Sequence, residues 1–316
     1  MSRLRVGVVG VGYLGWFHAQ KYAGLEGVDL VGVADLDFAR AEKAAQDFQT
    51  RPFRSHAELG GLVDAVSVAV TTSEHAKVAS ELLSQGIHCL VEKPLSATLA
   101  EADQIIASAE KGGAVLQVGH LERFNPAVAA IRDHLTSPVF MEARRLTTFR
   151  NRGLDVDVIL DLMIHDIDII LGLVNSKVKH IEAVGISTVS DHEDLANVRL
   201  TFQNNAIADI TASRVTKEET RTIRIFQEQS YILLDYLHQE AFLFHGSDKK
   251  LEKNKIRIRK KEPLKVELKS FIGCVRNKKK PVVSGQEGKE ALQVALDILE
   301  KINSNNASML PQGTCS

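Results

Sequence analysis

Apolar and polar positions along this chain change rhythm near its middle. From Leu4 to about His120, short apolar runs alternate with stretches whose apolar residues recur every three or four positions. The runs at residues 5–9, 28–35, 64–70, 88–92 and 115–119 predict strands, and the stretches at 15–23, 38–48, 74–84 and 99–109 predict helices. Near-continuous apolar strands alternating with helices predict a parallel sheet covered on both faces. After about Val178 strand follows strand, at 179–188, 194–202, 206–212, 222–226, 230–236, 241–245 and 255–259. Links such as Gln203-Asn204-Asn205 and Gln227-Glu228-Gln229 suit hairpins and predict an antiparallel sheet. The pattern predicts an α/β chain: a doubly wound parallel sheet in residues 1–122, then an α/β domain with a large open, mainly antiparallel sheet in 123–302. A last helix from Gly285 to about Lys301 precedes a polar tail, 303–316, expected to be disordered.

The first strand ends in Val8-Val9-Gly10-Val11-Gly12-Tyr13-Leu14-Gly15, a G-x-G-x-x-G pattern opening a helix. The second strand ends at Asp35, 20 positions after the last glycine. That order of strand, glycine loop, helix, strand and acid is the layout of a dinucleotide site. Gly10 admits the tight turn, Gly12 lets a pyrophosphate approach the backbone, and Gly15 lets the helix sit close on the sheet. Tyr13 and Leu14 fill the loop at the helix start, whose free N–H groups face the diphosphate. Asp35 can accept from both ribose hydroxyls, and its charge repels a 2′-phosphate, so the expected cofactor is NAD. Arg3 and Arg5 mimic a secretory leader, but three glycines and Trp16-Phe17-His18, with no small-residue cleavage site, argue against one.

Composition narrows the rest. The 316 residues suffice for two ordinary domains. Lys plus Arg total 39 against 40 acidic residues, so no global field favours nucleic acid or an anionic membrane. No apolar run approaches a membrane span. The cysteines, Cys89, Cys274 and Cys315, are scattered and odd in number, which fits a reducing cytoplasm. Eleven histidines without H-x-x-x-H or H-x-H spacing give no sign of a metal site. Lys255, Arg257 and Arg259 alternate with Ile256 and Ile258, as on a strand with one charged face, and Lys278-Lys279-Lys280 reads as a solvated helix end.

Two constellations carry candidate chemistry. Glu92-Lys93-Pro94 follows the fourth predicted strand, where an open α/β sheet binds its ligand. A lysine there can hydrogen-bond a hydroxyl and stabilise the alkoxide that develops as hydride leaves, and partial burial lowers its pKa toward neutrality. A surface lysine before a turn proline reads the same. The second lies in the Leu- and Ile-rich helical stretch 158–171, where Asp161, His165 and Asp168 share one stripe and Asp166 lies apart. His165 can take a hydroxyl proton while Asp161 or Asp168 orients its ring. The alternative is a polar contact between helices.

Together the glycine fingerprint, Glu92-Lys93-Pro94 and Asp161-x-x-x-His165 resemble the Gfo/Idh/MocA family of NAD(P)-dependent oxidoreductases, over residues 3 to about 301. The resemblance implies a Rossmann domain, a C-terminal α/β domain that pairs subunits through its open sheet into homodimers or homotetramers, and catalytic Lys93, Asp161 and His165. The stretch Val70-Thr71-Thr72-Ser73-Glu74-His75 resembles the family's loop after the third strand, with Thr71 where proline is usual. It adds Thr71, Thr72 and His75, with Glu92 and Lys93, to the implied cofactor contacts. His120-Leu121-Glu122-Arg123-Phe124-Asn125 resembles the family's domain junction and adds Arg123 and Asn125 as substrate contacts. The forms at 119–126 and 161–168 are most similar to a branch that oxidises the 3-hydroxyl of UDP-N-acetylglucosamine-type nucleotide sugars. Inositol or a free monosaccharide is the rival substrate. A dinucleotide sensor without turnover is the rival of another class.

Overall fold

The computed structural model describes residues 3–149, 156–247 and 250–309, in two compact units, Met1–Phe124 with Lys261–Glu290 and Asn125–Lys260 with Ala291–Ser316. The first unit runs β1 (Leu4–Val9), α1 (Tyr13–Ala23), β2 (Val28–Ala34), α2 (Phe38–Phe48), β3 (Arg51–Phe53), β4 (Ala65–Val68), α3 (Thr72–Ser84), β5 (His88–Glu92), α4 (Leu99–Gly112) and β6 (Leu116–Gly119). Its strands form one parallel sheet in the order β3-β2-β1-β4-β5-β6. The order reverses between β1 and β4, which opens a crevice beyond their carboxyl ends. Val6, Val8, Ala65, Val66 and Val68 are wholly buried, and burial from both faces is why these strands read as unbroken apolar runs. The strand β3 escapes the pattern. It has three residues, one of them Pro52, and survives only because it lies at the sheet edge.

The second unit runs α5 (Pro126–Ala130), β7 (Pro138–Thr148), a π-helical turn (Ile159–Met163) continuing into α6 (Ile164–Val174), then β8 (Val178–Ile186), β9 (Leu195–Phe202), β10 (Ile207–Thr216), β11 (Thr220–Gln227), β12 (Ser230–Asp235), β13 (Glu240–Ser247) and β14 (Lys250–Lys255). Eight strands pair in the order β14-β13-β12-β11-β7-β10-β9-β8, antiparallel except for the parallel pair β7–β10. Met141, Ala143, Ile210, Ile223 and Ile225 on one sheet face pack with Ile164 and Ile167 of α6. The strand expected at 255–259 is corrected: pairing ends at Lys255, and the alternation there records Ile256 entering the core and Ile258 packing beside it.

The chain then forms α7 (Pro263–Asn277) and α8 (Gly285–Met309). Helix α7 packs on α1 and places Leu268, Phe271, Ile272 and Val275 in the core of the first unit. The expected division at 122/123 is therefore corrected twice: the second unit begins at Asn125, and Lys261–Glu290 belongs to the first. The tail expected from 303 is helical through Met309, and residues beyond it lie outside those described.

β7 was hidden in the sequence because its inward row reads Met141, Ala143, Arg145, with a cation at a core position. Arg145 is accommodated by Asp166 of α6, Nε to Oδ2 at 2.9 Å, with neither side chain more than 3% exposed. The Tyr236 hydroxyl donates to the same carboxylate, and the Asn125 amide donates to the Tyr236 carbonyl at 2.9 Å. Removing one partner strands the other charge in the core. Arg145→Met is expected to cost about 3–5 kcal/mol in urea unfolding, and Arg145→Met/Asp166→Leu to recover much of that loss.

Candidate active site

The glycine loop is fixed by contacts that no side chain tolerates. Gly10 has φ of +81°, and a Cβ there would lie 2.7 Å from the Ala69 carbonyl oxygen. A Cβ at Gly15 would fall 1.7 Å from the Gly10 carbonyl oxygen, so α1 sits with its backbone directly on the loop. Gly12 differs: nothing lies within 4 Å of its Cβ position, so its backbone faces open space at the start of α1. Beside it lies a cleft of about 390 Å³ lined by Gly10, Gly12, Asp35, Arg54 and Thr71 among others. Asp35 accepts from the Val11 N–H at 2.8 Å through Oδ2 and from the Asp37 N–H at 2.9 Å through Oδ1. Its carboxylate is thereby fixed to the loop while each oxygen keeps a further lone pair toward the cleft. A pre-oriented acid, open backbone at a helix N-terminus and a cleft between them fit NAD. Tyr13 and Leu14 project into solvent from the first turn, and Thr71 stands at the N-cap position of α3, whose first residue is Thr72.

Lys93 stands just past β5, half-buried, in a cluster of titratable groups from the first unit. Glu92 is buried, with Oε1 2.9 Å from Nε2 of His18 on α1. Burial pushes the Glu92 carboxyl up, but the His18 hydrogen bond and the neighbouring Lys93 charge prevail and hold it below the usual carboxylate range. His75 is buried on α3, its Nδ1 3.0 Å from the Pro94 carbonyl oxygen and its Nε2 3.2 Å from that of Val70. Burial holds its pKa below the ordinary value, so the ring is neutral and inside the protein rather than lining the cleft. His120 follows β6 and is pushed down to about 3, by burial first and then by the positive charges of Lys93 and Arg123. Sequence reasoning assigned no role to His18 or His120. The signals were present: His18 shares the buried face of α1 with Gly15, Ala19 and Tyr22, and His120 directly follows the apolar strand β6.

In the second unit Asp161 lies in the π-helical turn and His165 one turn on in α6, and both are only partly buried. Asp166 and Asp168 are buried, whereas Asp161 and His165 keep part of their surface exposed. The turn at Ile159–Met163 is π-helical, and such turns often mark functional sites. Asp157 accepts from the Leu160 N–H at 2.7 Å, holding the start of the turn. Arg214, paired with Asp194, donates to the Val156 carbonyl just ahead of the turn and to the Glu193 carbonyl. Asn125, expected at the substrate, is buried and uses its amide to cap α5 and to hold Tyr236.

The buried neutral histidines make stability depend on pH. An unfolded histidine takes its proton near pH 6.5, whereas His120 in the fold resists it until about pH 3. Its folded pKa is depressed, so the stabilisation is present above pH 6.5 and is lost as the pH falls toward 3, at about 1.4 kcal/mol per pH unit. His75 acts in the same direction. Urea midpoints measured from pH 7.5 to 5 are expected to decline, and the His120→Asn variant to give a flatter profile.

Residues 4–120 match an oxidoreductase family with an NAD-binding Rossmann fold, and residues 99–232 match the GFO/IDH/MocA C-terminal domain. The UDP-N-acetylglucosamine 3-dehydrogenase of Acidithiobacillus ferrooxidans is 36% identical over 305 residues, covering 94% of this chain and 97% of that protein. Its solved structure matches with a TM-score of 0.92 over 96% of this chain and 99% of that one. The scyllo-inositol 2-dehydrogenase (NAD(+)) of Bacillus subtilis is 26% identical over 93% of this chain and 92% of its own length. The structure of an aldose-aldose oxidoreductase from Caulobacter crescentus, 19% identical and covering 96% of this chain and 98% of that one, shares the fold with a TM-score of 0.84. With both domain matches in order, and a relative of this identity along nearly its whole length, the chain belongs to the Gfo/Idh/MocA family and is an NAD-dependent oxidoreductase acting on CH–OH groups.

Proposed function

We propose that this enzyme oxidises the 3-hydroxyl of a UDP-N-acetylglucosamine-type nucleotide sugar. The observation that carries the reading is the full-length 36% identity to the Acidithiobacillus 3-dehydrogenase, against 26% to the Bacillus inositol enzyme. Gly10, Gly12, Tyr13, Leu14 and Gly15 hold the cofactor diphosphate, Asp35 its ribose, and Thr71, Thr72 and Glu92 border its nicotinamide end. Bound NAD supplies the hydride acceptor. Lys93 donates a hydrogen bond to the reacting hydroxyl oxygen and stabilises the negative charge that builds there. His165 takes the hydroxyl proton, Asp161 fixes its ring and offsets the imidazolium charge, and Arg123 contributes to substrate binding. The same groups serve the reverse reduction.

We also assign the working form as a cytoplasmic homodimer or homotetramer joined through the open face of the second unit's sheet. Support comes from a ladder on that face: Phe140, Phe226, Tyr231 and Phe244 stack across four strands at centroid distances of 5.7, 5.2 and 4.4 Å, each only partly buried. An aromatic row facing water is costly unless a partner covers it. Tyr231→Asp is expected to yield monomers by light scattering. An unchanged mass would remove the ladder from the interface.

The substrate is tested by following NADH formation with UDP-N-acetylglucosamine, UDP-glucose, scyllo- and myo-inositol and free aldoses. Turnover confined to inositols would end the nucleotide-sugar reading. Lys93→Ala is expected to bind NAD as the parent does and to lose turnover by about 10²-fold or more. Wild-type rates in that variant would remove Lys93 from the chemistry.

A further inference from the structure

Lys93 sits between two residues that are each tethered to a different helix by a buried histidine. On its N-terminal side, the Glu92 carboxylate lies 2.9 Å from the His18 Nε2 on α1, a close polar contact at ion-pair distance. The other side of that carboxylate rests on Gly119, where a Cβ would lie 3.0 Å from both Cδ and Oε2 of Glu92. On its C-terminal side, the Pro94 carbonyl is held to α3 by Nδ1 of His75 at 3.0 Å. Both histidines are 1% exposed. Neither ring touches solvent, so neither is suited to meet substrate directly.

The surroundings make the two tethers directional. A neutral imidazole carries one N–H, and His75 has only carbonyl oxygens at its two nitrogens. It therefore donates to one of them at a time, Pro94 at the shorter distance. The Glu92 carboxylate lies among His18, His75, His120 and Lys93, and the Lys93 charge helps to hold it below the usual carboxylate range. Moving either flank moves the backbone from which the Lys93 ammonium projects.

We propose that His18 and His75 are positioning residues: they clamp Glu92 and Pro94 so that the Lys93 ammonium meets the reacting hydroxyl in one fixed geometry. This rests on the role given to Lys93 above. Misplacement by about 1 Å can cost on the order of 10²-fold in rate with little change in binding, and the clamp acts on that term.

Pairs of amide variants test it without emptying the core. In His18→Gln the amide nitrogen takes the place of Nε2, and in His75→Asn that of Nδ1. His18→Asn and His75→Gln carry the same chemistry displaced by one methylene. With UDP-N-acetylglucosamine as the probe, the in-register variants should keep the single-turnover rate of NADH formation within about threefold of the parent. The displaced ones should lose about tenfold to 10²-fold, with NAD affinity and melting temperature unchanged. A second reading needs no turnover: hydrogen exchange of the peptide spanning residues 91–95, in the protein alone, should accelerate only in the displaced variants. Equal rates and equal exchange within each pair overturn the clamp. Lys93→Ala separates the two ideas: if it loses turnover while the displaced variants do not, only the clamp fails, and if it reacts like the parent, the role of Lys93 itself fails.

Discussion

The backbone contact between Gly15 and the carbonyl of Gly10 sets the depth at which α1 lies on its sheet, and much of the first unit follows from that depth. Only a residue without Cβ permits it, since a Cβ would fall 1.7 Å from the carbonyl oxygen. Held there, α1 opens its N-terminus beside Gly12 and buries the face bearing His18 and Tyr22. The Tyr22 hydroxyl reaches Ser67 of β4 at 2.9 Å, and His18 reaches Glu92 of β5. The glycine pattern thus shapes a phosphate loop and also brings a helix close enough for two polar side chains to meet the strands beneath.

Polar groups in the two units are buried for different ends. In the second unit the Asp166, Arg145 and Tyr236 network ties α6 to the sheet, and Asp166 is wholly buried. Its neighbour His165 points elsewhere and keeps contact with solvent. In the first unit the buried groups gather where the strands end, and burial first, then the cations Lys93 and Arg123, depress the titration of His120. One arrangement fixes a helix and the other fixes charges.

What the sequence disclosed divides along physical lines. Doubly buried strands announce themselves as apolar runs, and the glycine loop, whose spacing answers to steric limits, was legible to the residue. β7 was not, because Arg145 occupies a core position and is made tolerable by Asp166, a residue remote in sequence. Helix α7 was overlooked although its apolar residues recur at helical spacing, and no local signal says that it returns to the first unit. Lys93 was singled out by its place after a strand together with the family resemblance, whereas the histidines beside its neighbours lie 75 and 18 positions upstream and meet them only once the sheet has formed.

The return of α7 gives the nucleotide-binding unit an unusual assembly history. Val6 and Tyr22 share their apolar cluster with Phe271 and Val275, so residues emerging first from the ribosome wait for residues made some 250 positions later. A fragment cut at Phe124 would hold every strand of its sheet and still present the bare side of α1 to water. Autonomy, for this half of the molecule, belongs to a folded body and not to a contiguous stretch of chain.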